Sequence, residues 1–324
     1  MCRDNSQLQS LAIILLTSML LLFANSGYAA TESIEQLNVQ LRAAATVDDT
    51  TEVAKLLKRG AQVNSSNEFG VTPLMRAVQG GGWQTAALLL SHGADVNARS
   101  VAGCSALTMA AEYNHETISA LLVEMGADVS NKTRSGWDAL MIAASSGYDL
   151  IVQQLLAFHA DANVTDRHGD TALTLAAYKG NTEVVATLLK HGVDPNQQNH
   201  EGSTALIQAA DQGHPDVVTV MLDHHADIEA KASEGGTALI WASEKGNEQI
   251  VAILLKRGAN PNVQDNTGST ALMGAAAGGH LRVVSLLIQH GANPSTRDQT
   301  GKSALDYALE NNRPKIVEIL KSAG

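Results

Sequence analysis

The stretch Gly202–Glu234, GSTALIQAADQGHPDVVTVMLDHHADIEAKASE, determines the fold because its pattern returns along most of the chain. The residues that follow, Gly235–Thr267, read GGTALIWASEKGNEQIVAILLKRGANPNVQDNT and keep the same order of small, apolar and polar positions. A unit of 33 residues is too short to bury its own apolar faces, so successive units must stack on one another. The opening glycine recurs without an insertion, as Gly70, Gly103, Gly136, Gly169, Gly202, Gly235, Gly268 and Gly301.

Each unit carries the pattern of two short helices joined by a glycine. A Ser, Thr or Asp precedes the first helix, where its side chain can accept a hydrogen bond from the backbone. In the second helix, Val184, Val185, Leu188 and Leu189 have the spacing of one apolar face. The capping positions are Thr72, Ser105, Asp138, Thr171, Thr204, Thr237, Thr270 and Ser303. The glycines predicted to end the first helix are Gly147, Gly180, Gly213, Gly246 and Gly279. Those predicted to end the second helix in the left-handed conformation are Gly93, Gly126, Gly192, Gly258 and Gly291.

These units match the phrase G-x-T-P-L-x-x-A-A-x-x-G-x-x-x-V-V-x-x-L-L-x-x-G-A-D-x-N, and the chain therefore resembles the ankyrin repeat proteins. The resemblance implies an all-α solenoid of paired antiparallel helices with turn or β-hairpin fingers, in about nine units over residues 37–324. The units start near residues 37, 70, 103, 136, 169, 202, 235, 268 and 301.

The sequence departs from the family phrase at two positions. Only Thr72-Pro73-Leu74 keeps the proline, and the histidine that follows the leucine is absent from every unit. Its place is taken by residues such as Met75, Thr108, Met141 and Ile207. We therefore expect somewhat softer coupling between units than in the family at large.

The N-terminus has the layout of a secretory signal peptide. An apolar run, Leu11–Phe23, follows a short head with Arg3, and Gly27 and Ala29 occupy the small positions of a cleavage site. We expect residues 1–29 to be removed, with cleavage after Ala30 as the next choice, and an uncleaved anchor is the alternative. Residues 30–36 then form a short lead-in. Localisation is predicted to be exported, periplasmic or secreted, with no stable membrane insertion after cleavage.

The net charge of −11 bears on the class of partner. Cleavage removes one base, Arg3, and one acid, Asp4, so this charge is unchanged in the mature chain. An acidic surface repels the phosphate backbone, and we expect no nucleic-acid partner. Cleavage also removes Cys2, which would leave Cys104 as the one cysteine, in a variable slot that suits a small side chain. A reactive or intermolecular thiol is the alternative reading of Cys104.

The segment Met221–Ala230, MLDHHADIEA, places His224 and His225 among three carboxylates and raises the question of a metal site. Other units have His, Met, Phe or Arg in the slot of His224, which indicates a position near the end of the second helix that suits a cation. His225 stands where most units have a left-handed glycine. We therefore predict no metal and no cofactor.

Motifs of common enzyme classes are missing from the sequence, including G-x-S-x-G, H-E-x-x-H, the phosphate-binding loop and the dinucleotide glycines. We predict that the protein is not an enzyme, and a metal-dependent enzyme is the alternative from another class. The resemblance implies a non-catalytic module that binds another protein on the concave face made by the fingers and first helices, and we expect a monomer. An immunity, inhibitor or accessory factor for one enzyme, or a structural role in an envelope assembly, is also open.

The slots that face a partner in the family identify the candidate binding residues. Carried over to this sequence, they are Phe69, Met109, Tyr113, Arg134, Trp137, Arg167, Asp170, Tyr178, Lys179, Trp241 and Lys245. Aromatic and arginine side chains are enriched at interface hot spots. For Met109 and Trp241 the alternative is packing between units. We expect Trp137→Ala and Tyr178→Ala to weaken partner capture and to leave the melting curve nearly unchanged.

Overall fold

A computed structural model describes residues 32–323. The predicted signal peptide at residues 1–29 lies outside the described residues, and the cleavage prediction therefore stays a prediction. Two compact units make up the chain, of which the first ends at Arg134 and the second begins at Ser135. Within residues 32–323, every helix is too short or too polar to cross a membrane.

Paired helices build both units, as the sequence predicts. The first unit contains α1 (Ile34–Thr46), α2 (Thr50–Lys58), α3 (Pro73–Gln79), α4 (Trp83–Ser91), α5 (Ala106–Glu112) and α6 (Glu116–Glu124). The second unit begins with α7 (Ala139–Ser146), α8 (Asp149–Ala157), α9 (Ala172–Lys179), α10 (Thr182–Lys190), α11 (Ala205–Gln212) and α12 (Pro215–Asp223). It continues with α13 (Ala238–Lys245), α14 (Glu248–Lys256), α15 (Ala271–Gly278), α16 (Leu281–Gln289), α17 (Ala304–Glu310) and α18 (Pro314–Ala323).

The predicted capping residues all cap their helices. Each of the eight side chains accepts a hydrogen bond from the backbone N–H three residues on, which is worth about 1 kcal/mol per helix. At Thr171 a second, reciprocal hydrogen bond forms, in which the Thr171 backbone N–H donates to the Thr174 hydroxyl at 2.7 Å. The same reciprocal box forms at Ser105 and Ser303. Thr174 occupies the slot of the missing family histidine, so a short polar side chain supports the helix start there.

Helices of successive repeats pack in two layers within each unit. In the second unit α7, α9, α11, α13, α15 and α17 pack in order, as do α8, α10, α12, α14, α16 and α18. In the first unit α1, α3 and α5 form one layer and α2, α4 and α6 the other. Alanines such as Ala176 and Ala177 are fully buried between the first helices, and Leu188 is fully buried in the second layer. Small side chains let the helix axes approach closely, which explains a core with few aromatics.

The fingers between repeats are turns. In the described residues there are no strands, and Gln264 and Thr270 form an isolated antiparallel bridge. Single backbone hydrogen bonds join several pairs of neighbouring fingers, for example from His200 N to His168 O at 2.9 Å. A single bond does not extend into a ladder, so the turn form of the predicted fingers is the one that occurs.

Side-chain amides join the turns that follow the second helices. Asn97 donates from Nδ2 to the Gly126 carbonyl at 3.1 Å, and its Oδ1 accepts from the Asp128 backbone N–H at 2.8 Å. Both bonds cross to the next repeat. Equivalent two-sided bridges are made by Asn64 and Asn262.

Candidate functional site

The two adjacent histidines of the MLDHHADIEA segment have structural roles. His224 ends α12, and its Nδ1–H donates to the Val220 carbonyl at 3.0 Å. His225 adopts φ 63°, the left-handed conformation that glycine takes in most other repeats. Among residues 32–323, no three His, Cys, Asp or Glu side chains gather where they could hold a metal ion.

The carboxylates of that segment also bond across repeats. Asp223 forms an ion pair with Arg257, with 2.6 Å between Oδ1 and Nη2. Glu229 accepts from the Asn260 backbone N–H at 2.7 Å, in the slot where other repeats use asparagine. The repeat architecture therefore accounts for the residues that resemble a metal site.

A groove of about 560 Å³ runs through the second unit between the fingers and the first helices α7, α9, α11 and α13. Five of the eleven candidate binding residues line it: Trp137, Asp170, Tyr178, Lys179 and Trp241. They come from three of the four successive repeats that line the groove, and stacking brings them together although up to 104 positions separate them. This groove is the candidate site.

Trp137 is held at one end of the groove by a buried carboxylate. Its indole Nε1 donates to Asp166 Oδ2 at 2.8 Å. The other oxygen, Asp166 Oδ1, accepts from the backbone N–H groups of His168 at 2.8 Å and Asp170 at 3.0 Å. Asp166 is 8% exposed, so these bonds satisfy a charge that is nearly removed from water. One side chain therefore fixes both the finger and the indole.

Asp170 is the partly buried carboxylate on the groove wall. Its Oδ1 accepts from the Asn199 side-chain amide at 2.9 Å. Burial raises the pKa of Asp170, and the nearby Asp166 carboxylate adds to the increase, while the bond from Asn199 opposes it. A cation placed beside Asp170 would therefore favour its charged form.

Tyr178 and Lys179 lie at the end of α9. Tyr178 is 42% exposed, and Lys179 Nζ lies 5.3 Å from the centroid of its ring, within reach of a cation–π interaction. His214 of the next repeat donates from Nε2 to the Tyr178 carbonyl at 3.0 Å. The helix end is therefore anchored while the aromatic face remains accessible.

Trp241, on α13, lines the groove far from Trp137 along the stack of repeats. Its Nε1 is buried and has no hydrogen-bond partner. A Cβ at Gly236 would lie 2.8 Å from this nitrogen, so glycine makes room for the indole. Trp241 is partly exposed. The sequence left open whether this residue contacts a partner or packs between repeats, and its partial exposure is compatible with both.

The remaining candidate residues lie outside the groove lining. Arg167 and Lys245 are exposed in the second unit, and Lys245 Nζ lies 3.3 Å from Asp211 Oδ1. In the first unit Phe69 is 42% exposed, Arg134 is exposed and Tyr113 stacks on His115 at 6.1 Å. Met109 is 4% exposed and Cys104 is 1% exposed. A side chain packed inside its repeat offers little to a partner, so we leave Met109 out of the proposed surface.

Several groove residues were missing from the sequence prediction. His168, Glu201 and Glu234 each directly precede the glycine that opens a repeat, and all three line the groove. The rule that selected Phe69 applies to this slot and would have found them. Asn199 carried no such signal, because its role depends on a contact between fingers.

Comparison with known families agrees with this architecture. A family model described as ankyrin repeats (3 copies) matches residues 41–133, 126–199, 191–265 and 239–324. No curated protein matches the chain. With more than half of its residues matched and the repeat packing in place, the chain belongs to the ankyrin repeat family.

Proposed function

We propose that the protein binds another protein through the groove of the second unit. Ankyrin repeats are generally protein–protein interaction modules. The observation that supports the choice of face is the convergence of Trp137, Asp170, Tyr178, Lys179 and Trp241 on one groove. Aromatic side chains beside a few charged groups are the composition of interface hot spots.

The mechanism is rigid presentation of a preformed surface. Helix caps, the Asp166 bonds to finger backbone and the His214 bond to α9 hold the groove residues in place. A partner then binds without ordering these segments, which reduces the entropy lost on association. The family is typically non-catalytic, and we extend this property to the present chain.

Affinity capture with matched variants tests the proposed face. Tyr178→Ala removes an exposed ring, and Gly236→Ala places a Cβ against the Trp241 indole, so both variants should weaken capture of the native partner. The controls are Trp83→Ala, a 50% exposed ring in the first unit, and Ser269→Ala, which occupies the Gly236 slot of the next repeat. Capture that is unchanged by both groove variants, with the partner identified by mass spectrometry, would place the interface elsewhere.

We further propose that the chain is exported and acts as a monomer in the periplasm or outside the cell. The support is the N-terminal layout of Arg3, the apolar run and the small residues at Gly27 and Ala29. N-terminal sequencing of the protein purified from its source cells should begin at Ala30. An intact Met1, or recovery only with the membrane fraction, would contradict cleavage.

A further inference from the structure

We propose that the groove takes an extended polypeptide segment bearing an arginine, whose guanidinium pairs with the Asp170 carboxylate beside the aromatic side chains of Trp137 and Tyr178. This inference rests on the proposed function, because it names the chemistry of the partner at the same groove.

The charges along the groove favour a cation. Its lining contains four carboxylates, on Asp170, Glu201, Asp211 and Glu234, and one ammonium group, on Lys179. Lys245 pairs with Asp211 from outside the lining and compensates one of the four. The chain as a whole is also negatively charged, with a net charge of −11, and this charge steers basic partners toward it.

Asp170 is the carboxylate best placed to use a guanidinium. It is partly buried and lies near the second carboxylate of Asp166, and both factors disfavour its charged form. Asp166 itself already accepts bonds from Trp137 and two backbone N–H groups. A cation that enters beside Asp170 offsets both factors and favours the charged carboxylate with which it pairs.

The aromatic side chains select arginine over lysine. A guanidinium is planar, weakly hydrated and able to stack on an aromatic face while it donates two parallel bonds to a carboxylate. Trp137 and Tyr178 supply such faces on the same groove as Asp170. The ammonium of Lys179 lies 5.3 Å from the Tyr178 centroid, a cation–π geometry that a guanidinium would adopt in its place.

The extent of the groove favours an extended chain. Its lining comes from four successive repeats, and packed helices are spaced by about 10 Å, so three spacings span about 30 Å. An extended polypeptide rises about 3.3 Å per residue and would cover this span with about nine residues. At the far end, the unpartnered Nε1 of Trp241 is a donor suited to a main-chain carbonyl after a small shift of the indole.

The test uses the full mature chain labelled with ¹⁵N and the peptide acetyl-Leu-Arg-Leu-amide as the probe. The chain has three tryptophans, so each indole N–H is an individual reporter in an NMR titration. We expect the Trp137 signal to move and the Trp83 signal, in the first unit, to stay in place. The same peptide with neutral citrulline in place of arginine should bind about tenfold more weakly or worse.

Two isosteric variants serve as a matched pair. Asp170→Asn keeps an oxygen for the Asn199 amide and removes the charge, and it should weaken the arginine peptide about tenfold while leaving the citrulline peptide unaffected. Asp161→Asn, at an exposed turn outside the groove, should change neither. Because both changes preserve shape, unfolding should not obscure the comparison, and the indole spectrum verifies the fold.

Three results would each overturn the proposed arginine recognition. They are equal affinity for the arginine and citrulline peptides, a shift of the Trp83 indole signal alone, and no shift of the Trp137 indole signal up to the solubility limit of the peptide. Native capture that still depends on Tyr178 and Gly236 would then leave the proposed function intact. If the groove variants leave capture of the native partner unchanged while the arginine peptide still binds at Asp170, the proposed function is wrong and the arginine recognition is retained.

Discussion

The indole nitrogen of Trp137 lies 2.8 Å from Oδ2 of Asp166, so a side chain expected only to contact a partner also supports its own repeat. Asp166 in turn holds the backbone of His168 and Asp170. We therefore revise the expectation that Trp137→Ala leaves the melting curve nearly unchanged, because truncation removes a bond to a buried carboxylate. The expectation for Tyr178→Ala is retained, since this residue is 42% exposed.

Trp137→Phe isolates the contribution of this bond. The ring remains and the indole N–H is lost, so the free energy of unfolding should fall by about 1–3 kcal/mol, as expected when a buried charge loses a hydrogen bond. Urea unfolding measures the change, and Trp83→Phe at an exposed position is the control. An identical loss in both variants would mean that the Asp166 bond contributes nothing specific.

His225→Gly should stabilise the protein by up to about 1 kcal/mol. The residue has φ 63°, a conformation that glycine adopts without steric strain. His224→Gly is the opposing control, because His224 has φ −103° and bonds the Val220 carbonyl, and glycine there should destabilise. Thermal unfolding of the two variants gives the sign, and a lower melting temperature for His225→Gly would contradict the strain argument.

Asn97→Ala should destabilise the first unit by about 1–2 kcal/mol, since the amide makes two hydrogen bonds to the next repeat. Ser130 occupies the same slot one repeat later and bonds Asp128 within its own repeat, so Ser130→Ala is a control with a smaller expected effect. Hydrogen exchange of the Asp128 amide reports the loss locally. Unchanged protection of that amide would show that the bridge is not populated in solution.

Tyr307→Phe should reduce stability more at pH 7 than at pH 3. The Tyr307 hydroxyl donates to Asp298 Oδ2 at 2.5 Å and is the largest of the factors that hold the pKa of Asp298 well below its usual 3.8. A carboxyl group with a lowered folded-state pKa contributes stability above its unfolded-state pKa, and this contribution declines as the pH falls below that value. Melting temperatures of both proteins at the two pH values should therefore converge in acid. A larger difference in melting temperature at pH 3 than at pH 7 would contradict the stabilisation of the Asp298 carboxylate by Tyr307.

The repeat period and the helix boundaries could be predicted because they depend on local chemistry. A residue such as Thr204 caps α11 through a backbone group three positions away, and Gly213 ends that helix through its own φ of 81°. The same reasoning identified His225 from its slot alone. Contacts inside one repeat involve residues that are close in sequence, so they can be predicted from the sequence alone.

Contacts between repeats were harder to predict from the sequence. The bond from Asn199 to Asp170 and the room that Gly236 leaves for Trp241 depend on side-chain directions that a slot does not determine. Met109 and Trp241 share one slot of the repeat, yet Met109 is buried and Trp241 is partly exposed. Sequence therefore predicted a binding face made by the fingers and first helices, and geometry was needed to find which side chains meet there.

Single backbone hydrogen bonds join several pairs of neighbouring fingers, and this has a consequence for how the protein can evolve. A ladder would transmit a change in one turn along the whole edge, whereas separate hydrogen bonds between neighbouring fingers confine it to the two neighbours. New side chains can thus be tried at one finger while the rest of the surface keeps its form. Such a molecule can acquire a different partner through a few independent substitutions.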